Sequence, residues 1–283
     1  MRRTFALRLP STLLRLGERT LVMGVLNVTP DSFSDAGLYF HPRKAVAHAL
    51  EMQRAGADLI DIGAESARPG AQPISAREEL ARLLPVLRRL KKRLRIPISV
   101  DTTKAEVAAA ALEAGAQMIN DTSGLRADPE VASVARRYHV PLALMHIRGT
   151  PETMQKIPPA TNIWRELERG LRWSVARALR AGVRRSQLLI DPGIGFGKTA
   201  EQNYEIVREL RRLESFKLPV LIGTSRKSFI GKVLDNAPAD KRLLGTAATV
   251  TAAILGGAHI VRVHDVPEMV QVARVADALL GSR

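Results

Sequence analysis

The sequence predicts an α/β fold, namely a TIM (β/α)8 barrel with a short N-terminal hairpin. The first observation is that short apolar runs alternate along the chain with helix-like segments rich in Ala, Leu, Glu and Arg. The second is their number, because eight strand–helix units imply a parallel sheet and eight strands close a barrel. The apolar runs lie at 21–27, 57–64, 96–102, 117–121, 141–147, 187–193, 219–225 and 259–265.

The segments between these runs also carry the expected helix-ending residues. The stretches "RAGA" and "EAGA" place a glycine where a helix should end. No Ser- or Pro-rich linker divides the chain, so we predict one barrel domain over 1–283, with 1–20 as a hairpin across its bottom. An open, doubly wound sheet is the alternative fold, because topology is less certain from a sequence than the existence of its elements.

The composition favours a single large core. The chain has 283 residues, is 46% hydrophobic and contains no cysteine, which excludes disulfides and thiolate metal sites. No apolar run is long enough to cross a bilayer, and the N-terminal stretch "MRRTFALRLP" lacks the continuous apolar segment of a secretory signal. We therefore expect a cytoplasmic protein without a membrane partner.

The net charge of +15 raises the question of an anionic partner. The basic residues fall mostly in helix-like stretches such as 88–95, where charged residues form solvated faces. Aromatic residues make up only 4% of the chain, which leaves few platforms for stacking bases. The expected partners are therefore small anionic molecules and not nucleic acid.

The stretch "DPGIGFGKT", residues 191–199, resembles a phosphate-binding loop but does not match its spacing. The P-loop pattern G-x-x-x-x-G-K-[ST] would require glycine at position 192, where the chain has Pro192. Proline has no N–H group to offer to a phosphate. The stretch is instead predicted to be a Gly-rich turn between a strand that ends in Asp191 and a helix.

Each apolar run ends in polar residues, and in a parallel barrel these positions meet at the C-terminal rim, where barrel active sites lie. Two chemical groups are present. Carboxylates and an amide suit the N–H donors of a flat heterocycle, whereas the cations of the last two strands suit an anion. The rim residues are Asn27, Asp61, Asp101, Asn120, Asp121, His146, Asp191, Ser225, Arg226, Lys227, Arg262 and His264. Structural ion pairs between the two groups are the alternative interpretation.

Two long polar connections follow the first two predicted barrel strands. They cover 27–40 and 64–75, and they contain Phe33 and Arg68 outside any helical or strand pattern. Long connections at a barrel mouth are commonly mobile and functional. The residues alone thus indicate a barrel enzyme acting on a heterocycle and an anion.

The motifs of this sequence resemble those of the dihydropteroate synthase family. They run in order from Leu21 to the C-terminus and read "MGVLNVTPDSFSDAG", "DIGAESARPGA", "SVDTTKAEVA", "INDTSG", "LMH", "DPGIGFGK", "TSRKSFIG" and "IVRVHD". The resemblance implies a homodimeric barrel that uses Mg²⁺. It further implies that 6-hydroxymethyl-7,8-dihydropterin diphosphate is joined to p-aminobenzoate with release of pyrophosphate.

The resemblance also implies residue roles. The implied pterin-binding residues are Asp101, Asn120, Asp191 and Lys227. The implied diphosphate-binding residues are Asn27, Arg68, Arg262 and His264, with Asn27 also near Mg²⁺. The implied p-aminobenzoate pocket contains Phe33, Ala67, Pro69, Phe196 and Ser228. The implied catalytic residues are Asp35, Arg68, Asp101 and Lys227. Asp61 also matches a motif position, but direct contact with a ligand is expected less for it than for the residues above.

One position departs from the family pattern. The second loop of the family usually reads S-T-R-P-G, whereas this chain has Ala67 at the second of these positions. The change removes one hydroxyl beside the implied aminobenzoate pocket. Two rival functions stay open: a methyltetrahydrofolate-dependent methyltransferase barrel and a basic nucleic-acid-binding protein. The methyltransferase would need a corrinoid partner, and strand-end carboxylates at the mouth would repel nucleic-acid phosphates.

Overall fold

A computed structural model of the chain describes residues 2–29 and 41–281. In this part of the chain the strands are β1 (Phe5–Arg8), β2 (Leu13–Leu16), β3 (Leu21–Asn27), β4 (Leu59–Gly63), β5 (Ile98–Asp101), β6 (Met118–Asp121), β7 (Leu142–Met145), β8 (Leu188–Asp191), β9 (Leu221–Ile222) and β10 (Ile260–Val263). The α-helices are α1 (Pro42–Arg54), α2 (Ala76–Leu90), α3 (Ala105–Glu113), α4 (Glu130–Tyr138), α5 (Ile163–Arg180), α6 (Ala200–Arg208), α7 (Ser228–Val233), α8 (Leu243–Leu255) and α9 (Val266–Leu279). Short 3₁₀ turns cover Arg185–Gln187, Leu210–Phe216 and Ala239–Lys241.

Strands β3 to β10 form a parallel sheet that closes on itself. The order is β8-β7-β6-β5-β4-β3-β10-β9. The ends of this order also meet, because Ile190 pairs with Val220 and its N–H donates to the Pro219 carbonyl at 3.0 Å. The predicted barrel is confirmed, and the open sheet is excluded by this last contact.

Capping residues in the sequence mark the start of several of the surrounding helices. Ser75 caps α2 by accepting from the Glu78 N–H at 3.2 Å, and Asn162 caps α5 by accepting from Arg165 at 2.9 Å. Thr199 and Gln202 form a reciprocal capping box at the start of α6. These caps fix where the chain leaves each loop at the rim, and thereby the direction of each following helix.

The core has two layers, one on each face of the barrel strands. The outer layer lies between strands and helices and includes Ile60, Ile119, Ile190 and Val261. The inner layer fills the bottom of the barrel, where strand residues pack against the N-terminal hairpin of β1 and β2. Its members are Leu7, Leu9, Leu16, Leu21, Met23, Leu59, Met118, Ala143, Leu189, Leu221 and Ile260.

The upper half of the barrel interior is polar. Side chains alternate along a strand, so the residue two places after an inner-layer residue faces inward again. Leu59 is thus followed by Asp61, Met118 by Asn120, Leu189 by Asp191 and Ile260 by Arg262. The hairpin closes the bottom and the polar residues face the mouth, so the site can only open at the C-terminal rim.

No α-helix in 2–29 or 41–281 combines the length and the apolar character needed to cross a membrane.

The hairpin should contribute directly to stability. Leu16 is fully buried beneath the barrel, whereas Leu13 in the same strand is 39% exposed. Replacing Leu16 with Ala should lower the free energy of unfolding by about 2–5 kcal/mol, because it opens a cavity in the inner core. Replacing Leu13 with Ala should change it by about 0.5 kcal/mol or less. Urea unfolding followed by circular dichroism measures both free energies. Equal losses in the two variants would contradict the role of the hairpin in the inner core.

Candidate active site

Four polar side chains from separate strands meet inside the barrel mouth. The Asn120 amide donates to Asp61 Oδ2 at 2.9 Å, and Arg262 Nε donates to the same oxygen at 2.7 Å. Arg262 Nη2 also donates to Asp101 Oδ2 at 2.9 Å. The sequence placed Arg262 on the anion-binding side of the rim, but the structure shows it bridging two carboxylates of the heterocycle side. Asp61 therefore organises Arg262 and Asn120.

Two acceptor atoms in this group have no hydrogen-bond partner within the described residues. They are Asp61 Oδ1 and Asn120 Oδ1, on side chains that are 0% and 2% exposed. A buried acceptor without a donor costs free energy, so a ligand that brings N–H groups to these atoms gains it back. This chemistry matches the edge of a flat, nitrogen-rich ring.

The pKa of Asp101 is raised to about 7. Burial is the main cause because it disfavours the charged carboxylate, and the negative charge of Asp61 adds to it. The positive charge of Arg262 acts in the opposite direction. For Arg262 itself, burial opposes the charged form, but the two carboxylates outweigh it and the net pKa is raised. Asp101 is thus held near the point where it gains or loses a proton at neutral pH.

Lys227 and Phe196 form the opposite wall. Lys227 Nζ donates to the Ile194 carbonyl and lies 4.6 Å from the centre of the Phe196 ring. Burial lowers the pKa of Lys227 to about 8, although the negative charge of Asp191 opposes this shift. Asp191 is buried and accepts from the Gly193 N–H at 2.6 Å, and burial raises its pKa despite the charge of Lys227.

The Gly-rich turn after β8 passes very close to the end of β7. A Cβ atom on Gly193 would lie 1.9 Å from the His146 carbonyl oxygen, and the residue has a φ of +65°. Only glycine satisfies both conditions. Lys198 Nζ donates to carbonyls within the turn and Thr199 caps α6, so both residues of the apparent phosphate loop have local structural partners.

The last two strands supply fewer available cations than their sequence suggests. Arg226 is engaged in a two-point ion pair with Asp265, with Nε at 3.0 Å from Oδ2. His264 Nδ1 lies 3.0 Å from the Ser225 hydroxyl oxygen, which also accepts from the His264 N–H at 3.2 Å. Ser228 is exposed at the start of α7, next to Lys227.

The first and second loops differ in what the structure describes. Asn27 is the half-buried last residue of β3, whereas Phe33 and Asp35 lie outside the described residues. In the second loop Ala67 and Arg68 are half-buried and Pro69 is exposed. The loop is tied to the connection after β7, because the Gly70 N–H donates to the Pro151 carbonyl at 2.9 Å.

A cavity of about 300 Å³ lies beneath this tie. Its wall includes the predicted residues Ala67, Asp101 and Phe196. Sequence reasoning did not identify the part of the wall that comes from the connections after β6 and β7, which includes Thr122, Arg126, Ile147 and Thr150. The polar connection at 146–162 was the available signal for Ile147 and Thr150, because it is longer than the two loops that were singled out.

A buried ion network supports the second loop from below. Lys104 Nζ lies 2.8 Å from Glu65 Oε2 and 2.7 Å from Glu79 Oε2. Glu65 Oε1 in turn accepts from the Ile74 N–H at 2.9 Å, which closes the base of the loop. Burial raises the pKa of Glu79. This network holds the start and end of the loop in place while leaving its tip over the cavity.

Comparison with known proteins agrees with this geometry. The family described as pterin binding enzyme matches residues 23–264, which run from within β3 to just past the end of β10. The chain belongs to this family.

Members of the pterin-binding family resemble the chain along almost their whole length. This chain is 50% identical to the dihydropteroate synthase of Synechocystis over 268 residues, which are 95% of this chain and 93% of that protein. The Yersinia pestis dihydropteroate synthase, solved with a sulfonamide drug, has a TM-score of 0.94 at 42% identity and covers 98% of this chain and 100% of its own. The Xanthomonas albilineans enzyme, solved with 4-aminobenzoic acid, has a TM-score of 0.90 at 41% identity, covering 98% and 99%.

The raised pKa of Asp101 makes a prediction about stability and pH. Between about pH 4, the usual carboxyl value, and pH 7 the folded protein holds a proton on Asp101 that the unfolded chain releases. The contribution of this group to stability is therefore present at low pH and is lost as the pH rises to 7. In Asp101→Asn that loss should be absent, so the variant should gain stability relative to wild type across this range.

Urea unfolding at several pH values measures this difference. Asp191→Asn should shift stability in the same direction, because burial also raises the pKa of this strand-end carboxyl. A stability difference between wild type and Asp101→Asn that does not change from pH 4 to pH 7 would contradict the assignment.

Proposed function

We propose that this chain condenses 6-hydroxymethyl-7,8-dihydropterin diphosphate with p-aminobenzoate to give 7,8-dihydropteroate and pyrophosphate, in the cytoplasm. The observation that supports this proposal is that several polar side chains converge on one mouth of the barrel. They are the buried acceptors of β4 and β6, together with Asp101 and Lys227. The chain is a transferase of folate biosynthesis, as its relatives named dihydropteroate synthase are. That agreement favours the synthase over the methyltransferase barrel.

The pterin ring is expected to enter the polar interior. Asn120 and Asp191 present oxygen atoms toward the mouth, and the amide of Asn120 is oriented by Asp61. Carboxylates take paired hydrogen bonds from neighbouring N–H groups, which fits an aminopyrimidine edge. Asp101, with its pKa of about 7, accepts a hydrogen bond as the anion and donates one as the acid, so it tolerates either state of the ring.

The reaction breaks a carbon–oxygen bond at the pterin methylene, and the bonding electrons leave with the diphosphate. The positive charge left on the carbon spreads into the ring nitrogens. Oriented negative groups such as Asp101 and Asp191 stabilise this charge as it develops. The amine of p-aminobenzoate then forms the new carbon–nitrogen bond and loses a proton. An arylamine is a free base at neutral pH, so no side chain has to act as nucleophile.

The leaving diphosphate requires positive charge at the rim. Arg262 uses Nε and Nη2 for Asp61 and Asp101, and a guanidinium has five N–H donors in all. Arg262 therefore serves both parts of the reaction. It pairs with the carboxylates that face the developing cation, and its other N–H groups are left for the departing diphosphate. His264 and Arg68 are the other proposed diphosphate contacts, from the end of β10 and the second loop.

Asn27 is the proposed protein ligand of Mg²⁺. Mg²⁺ commonly keeps several waters and binds through one or two protein oxygens plus substrate phosphates. In 2–29 and 41–281 no cluster of three His, Asp or Glu side chains is placed to hold a metal ion. A single amide at the end of β3 fits an ion held mainly by the diphosphate, whose charge Mg²⁺ would help to neutralise.

The aminobenzoate is placed in the part of the mouth between Lys227, Phe196 and the second loop. The Phe196 ring offers an apolar face, and the Lys227 ammonium lies over it. Ala67 contributes to the cavity wall beside Phe196. Pro69, Ser228 and the first-loop residue Phe33 complete the proposed pocket, and Asp35 is proposed to act near the reacting carbon. Closure of the loops keeps water from capturing the cation.

The deciding experiment measures pyrophosphate release from dihydropterin diphosphate and Mg²⁺, with and without p-aminobenzoate. Release that depends on the amine and yields dihydropteroate supports the proposal. Release without the amine points to capture of the cation by water, and no release despite pterin binding contradicts synthase activity. Asp101→Asn and Lys227→Ala should each lose activity while staying folded, and full activity in either would contradict its role.

Ala67 should weaken one contact in the aminobenzoate pocket. Restoring the family residue in Ala67→Thr adds a hydroxyl beside Phe196, worth about 1 kcal/mol net if it forms a hydrogen bond. We expect roughly a fivefold change in the KM for p-aminobenzoate and in sulfonamide inhibition. The kcat, measured at saturating substrate, should stay unchanged. Ala67→Val, which has a similar shape without the hydroxyl, is the control, and the same change in both variants would sink the idea.

We propose a homodimer formed by the last helices. Five of the eight large apolar side chains that are exposed in the described part of the chain lie between 233 and 279, and Leu244 is 83% exposed. Exposed apolar area of this kind is typical of an interface. Leu244→Glu should shift the protein toward monomer in sedimentation equilibrium, whereas Leu179→Glu on α5 should not. A monomeric wild type would contradict the dimer.

A further inference from the structure

Lys198 makes three hydrogen bonds to backbone carbonyls and none to a carboxylate. Its Nζ donates to Gly193 at 2.7 Å, to Phe196 at 3.1 Å and to His146 at 3.2 Å. Among the described residues it forms no ion pair. A lysine ammonium has three N–H donors, and a neutral amine has only two. Only the charged form therefore donates to all three carbonyls at once, and these bonds oppose the burial that lowers the pKa of Lys198 well below its usual value.

These three carbonyls belong to two separate parts of the barrel. His146 follows β7, and its own N–H donates to the Asp191 carbonyl at 2.9 Å. Gly193 and Phe196 belong to the turn after β8. Lys198 thus fastens this turn onto the end of the neighbouring strand. The ring of His146 is buried, and burial lowers its pKa to about 2, so it adds no charge at this point.

The turn that Lys198 fastens carries one wall of the proposed pocket. Its Ile194 carbonyl accepts from Lys227, and its Phe196 ring lies under the same ammonium. The Phe196 N–H donates to the Gly193 carbonyl at 3.2 Å, so one carbonyl bonds both the turn and Lys198. Other supports act on the same turn, because the Gly195 N–H donates to Asn203 Oδ1 at 2.7 Å and Arg148 Nη1 donates to the Gly197 carbonyl at 2.9 Å.

We propose that Lys198 is a positioning residue for the amine substrate, acting through Phe196 and Lys227 and never touching either substrate. The claim rests on the proposed synthase function. Its competitor is a purely structural role, in which the three bonds stabilise the fold alone. The two differ in what a substitution changes, because a positioning role acts on one side of the mouth. The acceptors Asp61 and Asn120 lie on the other side, on β4 and β6.

The first test replaces Lys198 with Met, which keeps the unbranched chain up to the ε position and removes the ammonium donors. We expect kcat/KM for p-aminobenzoate to fall about 100-fold, since small misplacements of a pocket wall have effects of this size. The affinity for dihydropterin diphosphate alone should change several-fold less. Equal losses for both substrates, in proportion to lost folded protein, would overturn the proposal.

The second test uses the absence of cysteine from the chain. Lys198→Cys carries the only thiol, so 2-bromoethylamine converts it selectively into a lysine-like ammonium, and 2-bromoethanol into a neutral hydroxyl of the same length. The ammonium adduct should recover most of the lost activity and the hydroxyl adduct should not. Lys92→Cys on the exposed surface, alkylated in the same way, is the control. Equal activity of the two Lys198 adducts would contradict the need for three donors.

Hydrogen exchange tests the positioning role without any measurement of enzymatic activity. In Lys198→Met the Gly193 and Phe196 amides should exchange at least tenfold faster, while the amides of β4 and β6 keep their wild-type rates. Unchanged exchange at the turn would overturn the inference even if the enzyme were active. Wild-type protein that shows no amine-dependent pyrophosphate release would contradict the synthase function. The hydrogen-exchange rates would then still decide whether Lys198 fixes the turn after β8.

Discussion

The ion pairing of Arg262 with two carboxylates inside the barrel is the constraint on which the rest of the site depends. Asp61 is fully buried, and a buried carboxylate without a cation is strongly destabilising. The guanidinium bonds Asp61 and Asp101 at once, and Asp61 also orients Asn120. A single cation therefore allows several acceptor groups to face one mouth, and the direction of each acceptor follows from that contact.

The two walls of the mouth have opposite pKa shifts. Burial raises the pKa of Asp101 to about 7 and lowers that of Lys227 to about 8, so an acid and a base both approach neutrality. Shifts of this kind are common where a site has to carry changing charge. Here they suit a reaction in which a cation forms on one substrate and a proton leaves the other, while the charge of the protein adjusts little.

Backbone groups hold the frame of the site together with these side-chain ion pairs. The turn after β8 is fixed by Lys198 through three carbonyls, and Gly193 is required by its closeness to the His146 carbonyl. On the other side, Lys104 secures the base of the second loop and the Gly70 N–H secures its tip. Every residue has the same carbonyl, and every residue except proline has the same N–H group, which is why such supports leave little trace in a sequence.

The sequence by itself determined the eight strand–helix units and the hairpin, because hydrophobic periodicity and helix-ending glycines are local properties. Closure of the sheet into a barrel was decided by the contact of Ile190 with Val220. It also identified the strand-end residues of the rim, since parallel strands bring their carboxyl ends together. Only the tertiary structure decided which of them pair: Arg226 is engaged with Asp265, and Arg262 with the acids. It also revealed Lys198 as a support. Pairing depends on distances between residues far apart in the chain, and no local pattern encodes those distances.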